Sequence, residues 1–124
     1  WRIIREMGIG VAADREVESR WEPGCIAVIT PAITSWVPPE PGRILATSYM
    51  DHAIGQRCAA VDAARLRKEN PTQFHGAGLL THRCFENDPF FERMEVSGSR
   101  LLAPSGTGLG FDDLLENLSW EALS

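Results

Sequence analysis

The clearest pattern along the chain is an unbroken apolar run, Cys25-Ile26-Ala27-Val28-Ile29, bounded by Pro23-Gly24 and by Pro31. A short, β-branched run without polar alternation predicts a strand covered on both faces, as in a parallel sheet. Three weaker pieces have the same scale: Gly8 to Ala13, ending at Asp14, then Ile44 to Thr47, and Gly78-Leu79-Leu80 as a fourth strand. The strongest helical pattern covers Asp51 to Glu69. There Ile54, Cys58, Val61 and Ala64 recur every three or four residues and predict the buried stripe, which leaves Arg57, Arg65, Lys68 and Glu69 to solvent. Asn70-Pro71 ends it, because the residue before a proline avoids the helical region. Arg2 to Met7 reads as a helix end stopped by Gly8, and Arg15 to Trp21 as one or two helical turns. Pro38, Pro39, Pro41 and Gly42 make a loop. Arg93 to Val96 and Arg100 to Ala103 flank Ser97-Gly98-Ser99 as a hairpin. Phe111 to Leu118 is a short last helix, with Asp112 and Asp113 at its positive end.

Strands alternating with helices predict an α/β fold of parallel βα units followed by a C-terminal tail. Polar residues collect directly after the strand ends: Asp14, Thr30, Ser48, Asp51, Thr81 and His82. Parallel α/β folds bind their ligands at the carboxyl ends of the strands, so a candidate site belongs there.

Length and charge narrow the classes. A chain of 124 residues is one domain in size. Its net charge of -5 argues against a nucleic-acid backbone as partner. No apolar run approaches the roughly 20 residues that cross a bilayer, so no membrane partner is expected. Cys25, Cys58 and Cys84 are odd in number and outside any C-x-x-C spacing. They read as buried thiols of a reducing compartment, and with no secretory signal at the start the expected location is cytoplasmic. The chain opens at Trp1 on what reads as the last turns of a helix, so a piece of something longer is expected. Lysine chemistry has one candidate, Lys68, in a polar stretch.

Single motifs each carry two readings. Gly106-Thr107-Gly108-Leu109-Gly110-Phe111 has Phe where a dinucleotide loop needs Gly or Ala, and reads as a tight turn into the last helix. Asp14 at a strand tip either ligates Mg²⁺ or caps the next helical turn. In Thr47-Ser48-Tyr49-Met50-Asp51-His52, Ser48 or Asp51 caps the long helix; the same geometry lets hydroxyls and free N–H groups hold a substrate carboxylate. Ser48 lies outside G-x-S-x-G, which removes a hydrolase elbow. His75 and His82 lack metal-ligand spacing and read as surface or packing residues. Trp21, Trp36 and Trp120 are far apart and do not suggest a stacking platform.

Three stretches taken together resemble a known family. Gly8 to Ile33, Thr47 to Gln56, and Gly78-Leu79-Leu80-Thr81 with Pro104 to Leu115 are similar to the C-terminal part of the enolase superfamily. Within it they resemble the muconate-lactonizing subgroup and its o-succinylbenzoate synthase-like members, which act in menaquinone biosynthesis. The resemblance implies the C-terminal part of a (β/α)7β TIM-type barrel: residues 1–90 as half-barrel βα units, and 91–124 as a tail returning toward a capping domain that the chain lacks. It implies a lyase in which a proton is removed next to a carboxylate and water is then lost. One Mg²⁺ on three carboxylates stabilises the enediolate and two lysines do the acid/base work. By position, Asp14 matches the third metal carboxylate, although Arg15 follows it where the family usually has Glu. Thr30, before Pro31, stands where the family has a catalytic lysine. Ser48 and Asp51 match the substrate side, Gly55 allows close approach at the helix start, and Gly106 to Gly110 match a glycine-rich turn. The implied partners are a small carboxylate substrate and the N-terminal half of a complete protein. No catalytic residue is intact here, so the chain by itself is expected to be inactive. The alternative is a non-catalytic half-barrel that assembles with itself or with a partner chain.

Overall fold

A computed structural model describes residues 4, 6, 7, 10–105 and 107–121. Four strands, β1 (Ala12–Ala13), β2 (Ile26–Ile29), β3 (Arg43–Thr47) and β4 (Phe74–Gly78), form one sheet in the order β1-β2-β3-β4. Every pairing is parallel. Each strand pairs with the one before it, so the order never reverses as it does in a doubly wound sheet. Between β1 and β2 lies the short helix α1 (Val17–Arg20), and between β3 and β4 the long helix α2 (Ala53–Glu69). The β2–β3 connection is the proline loop, whose backbone is tied down by Gln73. The Gln73 Nε2 donates to the Pro38 carbonyl at 2.9 Å and to the Gly42 carbonyl at 3.0 Å. After β4 come a 3-10 turn (Thr81–Cys84), α3 (Pro89–Glu92), the antiparallel pair β5 (Val96–Ser97) and β6 (Arg100–Leu101), and α4 (Asp112–Glu116).

The parallel βα reading, the hairpin and the last helix agree with this architecture. The expected helix end at Arg2 to Met7 and the start of the first strand at Gly8 lie largely outside the described residues, although Ile4 and Glu6 are helical. The fourth strand falls earlier than Gly78-Leu79-Leu80. Backbone pairing to β3 selects Phe74–Gly78, with Ile44 opposite Phe74 and Thr47 opposite Gly78. Phe-His-Gly-Ala-Gly has too little apolar character to announce itself, whereas Leu79 and Leu80 are apolar but already past the ladder. β2 is also less enclosed than its composition suggests: Ala27 and Ile29 are buried, while Ile26 and Val28 on the other face are half-buried.

The buried face of α2 is the largest departure. Ala53, Gln56, Arg57, Ala59 and Ala63 face inward, and Cys58, Val61 and Ala64 are exposed. Alanines carry little weight in a hydrophobic pattern, yet their small side chains let a helix lie close to a sheet, and Cys58 and Val61 turn outward. Cys58 and Cys84 are therefore exposed and only Cys25 is a buried thiol, which corrects the expectation for the first two. Trp21 and Trp36, distant in sequence, meet edge to face with centroids 6.0 Å apart, while Trp120 is exposed.

Two clusters make the core. Val17, Ala27, Ile29 and Ile44 pack between the sheet and its connections, with Trp21, Trp36 and Leu66 around them. Ala53, Met94 and Phe111 join the start of α2 to the C-terminal segment. Arg57 stitches this second cluster from inside. Its Nη1 donates to the Leu102 carbonyl at 2.5 Å, its Nη2 to the Arg93 carbonyl at 2.8 Å, and the guanidinium lies 5.7 Å from the centre of the Phe111 ring. Burial lowers its pKa from the ordinary arginine value and Glu95 partly opposes that shift. Removing the guanidinium leaves two carbonyls without their donors, so Arg57→Ala is expected to cost about 2–4 kcal/mol in urea unfolding. An unchanged midpoint would show that the C-terminal segment is held elsewhere.

Candidate functional site

Asp14, Thr30, Ser48 and Thr81 follow β1, β2, β3 and β4, and the parallel register brings all four to one end of the sheet. They line a cleft of about 450 Å³, together with the charged side chains of Arg15, Glu16 and Glu18, the hydroxyls of Thr34 and Thr47, and Val17, Val28, Ile33, Tyr49 and Met50. Ile33, Tyr49 and Met50 are exposed and form its rim. Ser48 and Thr30 also line an adjoining cavity of about 100 Å³, which contains Asp51, Gly55 and Cys58. The predicted site residues thus sit together, with Asp51 and Gly55 in the smaller space. His75, by contrast, is exposed on β4 away from both, and the His82 side chain lies outside the described ones.

The entrance from β1 is unusual in its backbone. Arg15 (φ 52°) and Glu16 (φ 45°) both adopt the left-handed region, which non-glycine residues populate rarely. The Asp14 carboxylate Oδ1 accepts the Arg15 N–H at 2.8 Å, and Glu16, not Asp14, occupies the cap position of α1. Glu16 is paired with Arg20 at 2.7 Å. Among the described residues no group of three His, Cys, Asp or Glu side chains could hold a metal ion. Mg²⁺ requires hard oxygen ligands, usually with one or two carboxylates among them. Asp14 shares the cleft with the carboxylates of Glu16, which is paired with Arg20, and of Glu18, and among the described residues these do not converge into a group that could hold an ion.

Neither Ser48 nor Asp51 caps α2. The cap position is His52, and it makes no side-chain capping bond. The Asp51 carboxylate instead turns back to accept the Tyr49 N–H at 3.0 Å. That turn needs Gly55: a Cβ there would lie 2.6 Å from Asp51 Cβ and 2.8 Å from its Cγ. The space beside Gly55 is thus taken by the Asp51 side chain. Thr30, which the resemblance sets against a catalytic lysine, presents a hydroxyl to the cleft, and a hydroxyl keeps its proton far above neutral pH. Lys68 is exposed near the far end of α2 and is absent from both cavities.

Sequence reasoning missed Gln56. It is fully buried beneath the strand tips, and its Nε2 donates to Ser48 Oγ at 2.5 Å and to Thr81 Oγ1. Ser48 and Thr81 hydroxyls are themselves 3.0 Å apart. A glutamine spaced three and seven residues from Ala53 and Ala63 on the alanine face was the available signal. Also unforeseen is the contact between His52 Nε2 and Asp88 Oδ2 at 2.5 Å, flanked by Phe85 and Phe90.

A parallel sheet of βα units with hydroxyls, charged side chains and an apolar rim gathered at the carboxyl ends of its strands makes this cleft the candidate small-molecule site of an α/β fold. No family model matches the chain. Over 81 residues, 65% of this chain and 24% of the relative, it is 40% identical to an o-succinylbenzoate synthase of Bdellovibrio bacteriovorus. The resemblance to o-succinylbenzoate synthase-like proteins is thus shared by a curated relative, of whose length the match spans about a quarter. No described helix is long and apolar enough to cross a membrane.

Asp88 gives the start of α2 a pH dependence. Burial pushes its carboxyl up, but the Phe91 N–H, which it accepts at 2.7 Å, and His52 outweigh that and hold it below the ordinary carboxylate value. A depressed folded-state value contributes stability above the unfolded value of about 3.9, and that contribution is lost as pH falls through the folded value. Asp88→Asn is expected to lose less stability than the wild type between neutral pH and the acid limb of a melting-temperature profile. Arg93, at 2.5 Å, lowers Asp113 with the same sign, so part of the acid loss persists in the variant. Parallel profiles for the two proteins would contradict the Asp88 assignment.

Proposed function

We propose that this chain is the C-terminal, substrate-holding portion of an o-succinylbenzoate synthase-like protein, a segment of a (β/α)7β barrel whose strand tips receive a small carboxylate. The observation that carries this reading is the coincidence of the 40% identity to an o-succinylbenzoate synthase with a cleft at the carboxyl ends of sequential parallel strands. In the complete enzyme the reaction would be proton removal next to the carboxylate, followed by loss of water, as a step of menaquinone biosynthesis. The residues here are suited to holding and orienting: Ser48 and Thr81 offer hydroxyls and Val28, Ile33 and Met50 offer apolar contact. Neither a hydroxyl nor an apolar side chain is suited to taking the proton. With Thr30 at the lysine position, the base lies outside these 124 residues and the chain alone does not turn substrate over.

Titration of the chain with o-succinylbenzoate is expected to shift the NMR amide signals of Thr30, Ser48 and Thr81 and to leave those of α4 in place. Ser48→Ala should weaken the response. Shifts absent from the strand tips would overturn the proposal. Millimolar Mg²⁺ is expected to leave the melting temperature of the chain within about 1 °C of its value in chelator, since an ion that binds the folded state raises it. A rise of several degrees would mean that Asp14 finds ligands this arrangement does not contain.

A second reading is favoured by the sheet edges. Among the described residues β1 and β4 are each paired on one side only, which favours association with another chain. A non-catalytic half-barrel assembling with itself would give twice the chain mass in light scattering, and no response to o-succinylbenzoate.

A further inference from the structure

A hydroxyl oxygen accepts at most two hydrogen bonds and donates one. That limit sets the direction of each bond around Gln56. Its Nε2 supplies two N–H groups, one to Ser48 Oγ and one to Thr81 Oγ1. Thr81 Oγ1 accepts a further N–H from Asp51 at 3.2 Å. With both acceptor positions occupied, Thr81 gives its own proton to Ser48 Oγ, 3.0 Å away. Ser48 Oγ then accepts twice as well. Its remaining proton has no acceptor within the network, and Ser48, although only 8% exposed, lines both cavities at the strand tips. Turning the Gln56 amide over would place its oxygen against the hydroxyls. It would then bury two unpaired N–H groups in place of the one carbonyl oxygen, Oε1, that is now unpaired.

We infer that Gln56 is a positioning residue that makes the Ser48 hydroxyl an obligate hydrogen-bond donor toward the cleft, selecting an anionic oxygen of a carboxylate ligand. The selection follows from chemistry: a donor with its acceptor positions filled cannot serve a ligand N–H or O–H, and its bond to a charged oxygen is the stronger kind. The inference rests on the carboxylate reading of the cleft proposed above. Gln56 itself touches no ligand and acts through Ser48.

The test compares o-succinylbenzoate binding, followed by NMR, in the wild-type chain, Gln56→Met and Gln56→Glu, with thermal melts to confirm that each is folded. Gln56→Met keeps the volume, removes both donors and frees Ser48 to turn toward Thr81; affinity is expected to fall about tenfold. In Gln56→Glu a carboxylate replaces the donor, so at about pH 8 Ser48 gives its proton inward and binding falls at least as far. A buried carboxyl titrates above its ordinary range, so lowering the pH to about 6 protonates it and recovers part of the affinity. The wild type stays flat over the same interval. Loss in both variants with pH-dependent recovery in Gln56→Glu alone supports the inference; equal affinity in all three folded proteins overturns it. Hydrogen exchange of the Gln56 side-chain amide gives a second measure that needs no ligand. Protection matching Gln73, whose amide is bonded to two carbonyls, supports the donor geometry, and exchange as fast as at the exposed Asn87 overturns it. Absence of wild-type binding would overturn the carboxylate reading of the cleft, and the amide exchange would then decide the role of Gln56 alone.

Discussion

The close approach of α2 to the parallel sheet is the constraint from which the strand-tip geometry follows. Ala59 and Ala63, three and seven residues beyond Gln56, are buried on its face of the helix, where side chains of that size let the helix backbone sit near the sheet. Only at that distance does the amide of Gln56 reach the hydroxyls of Ser48 and Thr81, which belong to segments 33 residues apart. Gly55 serves the same approach one residue earlier, since any Cβ there would occupy the space of Asp51. Larger residues on this face would move the helix outward and separate the two strand tips that the glutamine holds together.

The C-terminal segment depends on the same helix from its other side. Arg57 follows Gln56, is buried like it, and reaches the carbonyls of Arg93 and Leu102, while Phe111 closes over Ala53. Adjacent polar residues on one helix thus organise two regions: Gln56 the cleft, Arg57 the packing of the tail. The His52–Asp88 contact adds a third tie at the helix start, next to the aromatic rings of Phe85 and Phe90. A polar group buried in this way is specific because it is costly unless its bonds are made in one geometry. The left-handed pair Arg15 and Glu16 belongs to the same region of the molecule, where the chain leaves β1 and turns to line the cleft.

What was legible beforehand follows from which signals are local. The parallel βα arrangement, β2, β3, the extent of α2, the hairpin and the position of the cleft were readable, because apolar runs, prolines and glycines act over a few residues. Asp14, Thr30, Ser48 and Thr81 were recognisable as strand-tip residues and do share one cavity. The sequence pattern points to Cys58 and Val61 on the inward face of α2, to Leu79 and Leu80 in β4 and to Ser48 or Asp51 as the helix cap, and the structure differs at each. Each difference has the same origin: alanine, glycine and a buried glutamine leave weak marks in a hydrophobic pattern, although close packing and hydrogen bonding give them the larger role.

The parallel α/β class of fold and the likeness to o-succinylbenzoate synthases are carried by the sequence, since they rest on local pattern and on residue identity. The tertiary structure alone decided which helix face is buried, that Asp14 is bonded to its own neighbour's N–H, and that Gln56 joins Ser48 to Thr81. Those are matters of distance between segments far apart in the chain, and only the packing of α2 against the sheet sets such distances.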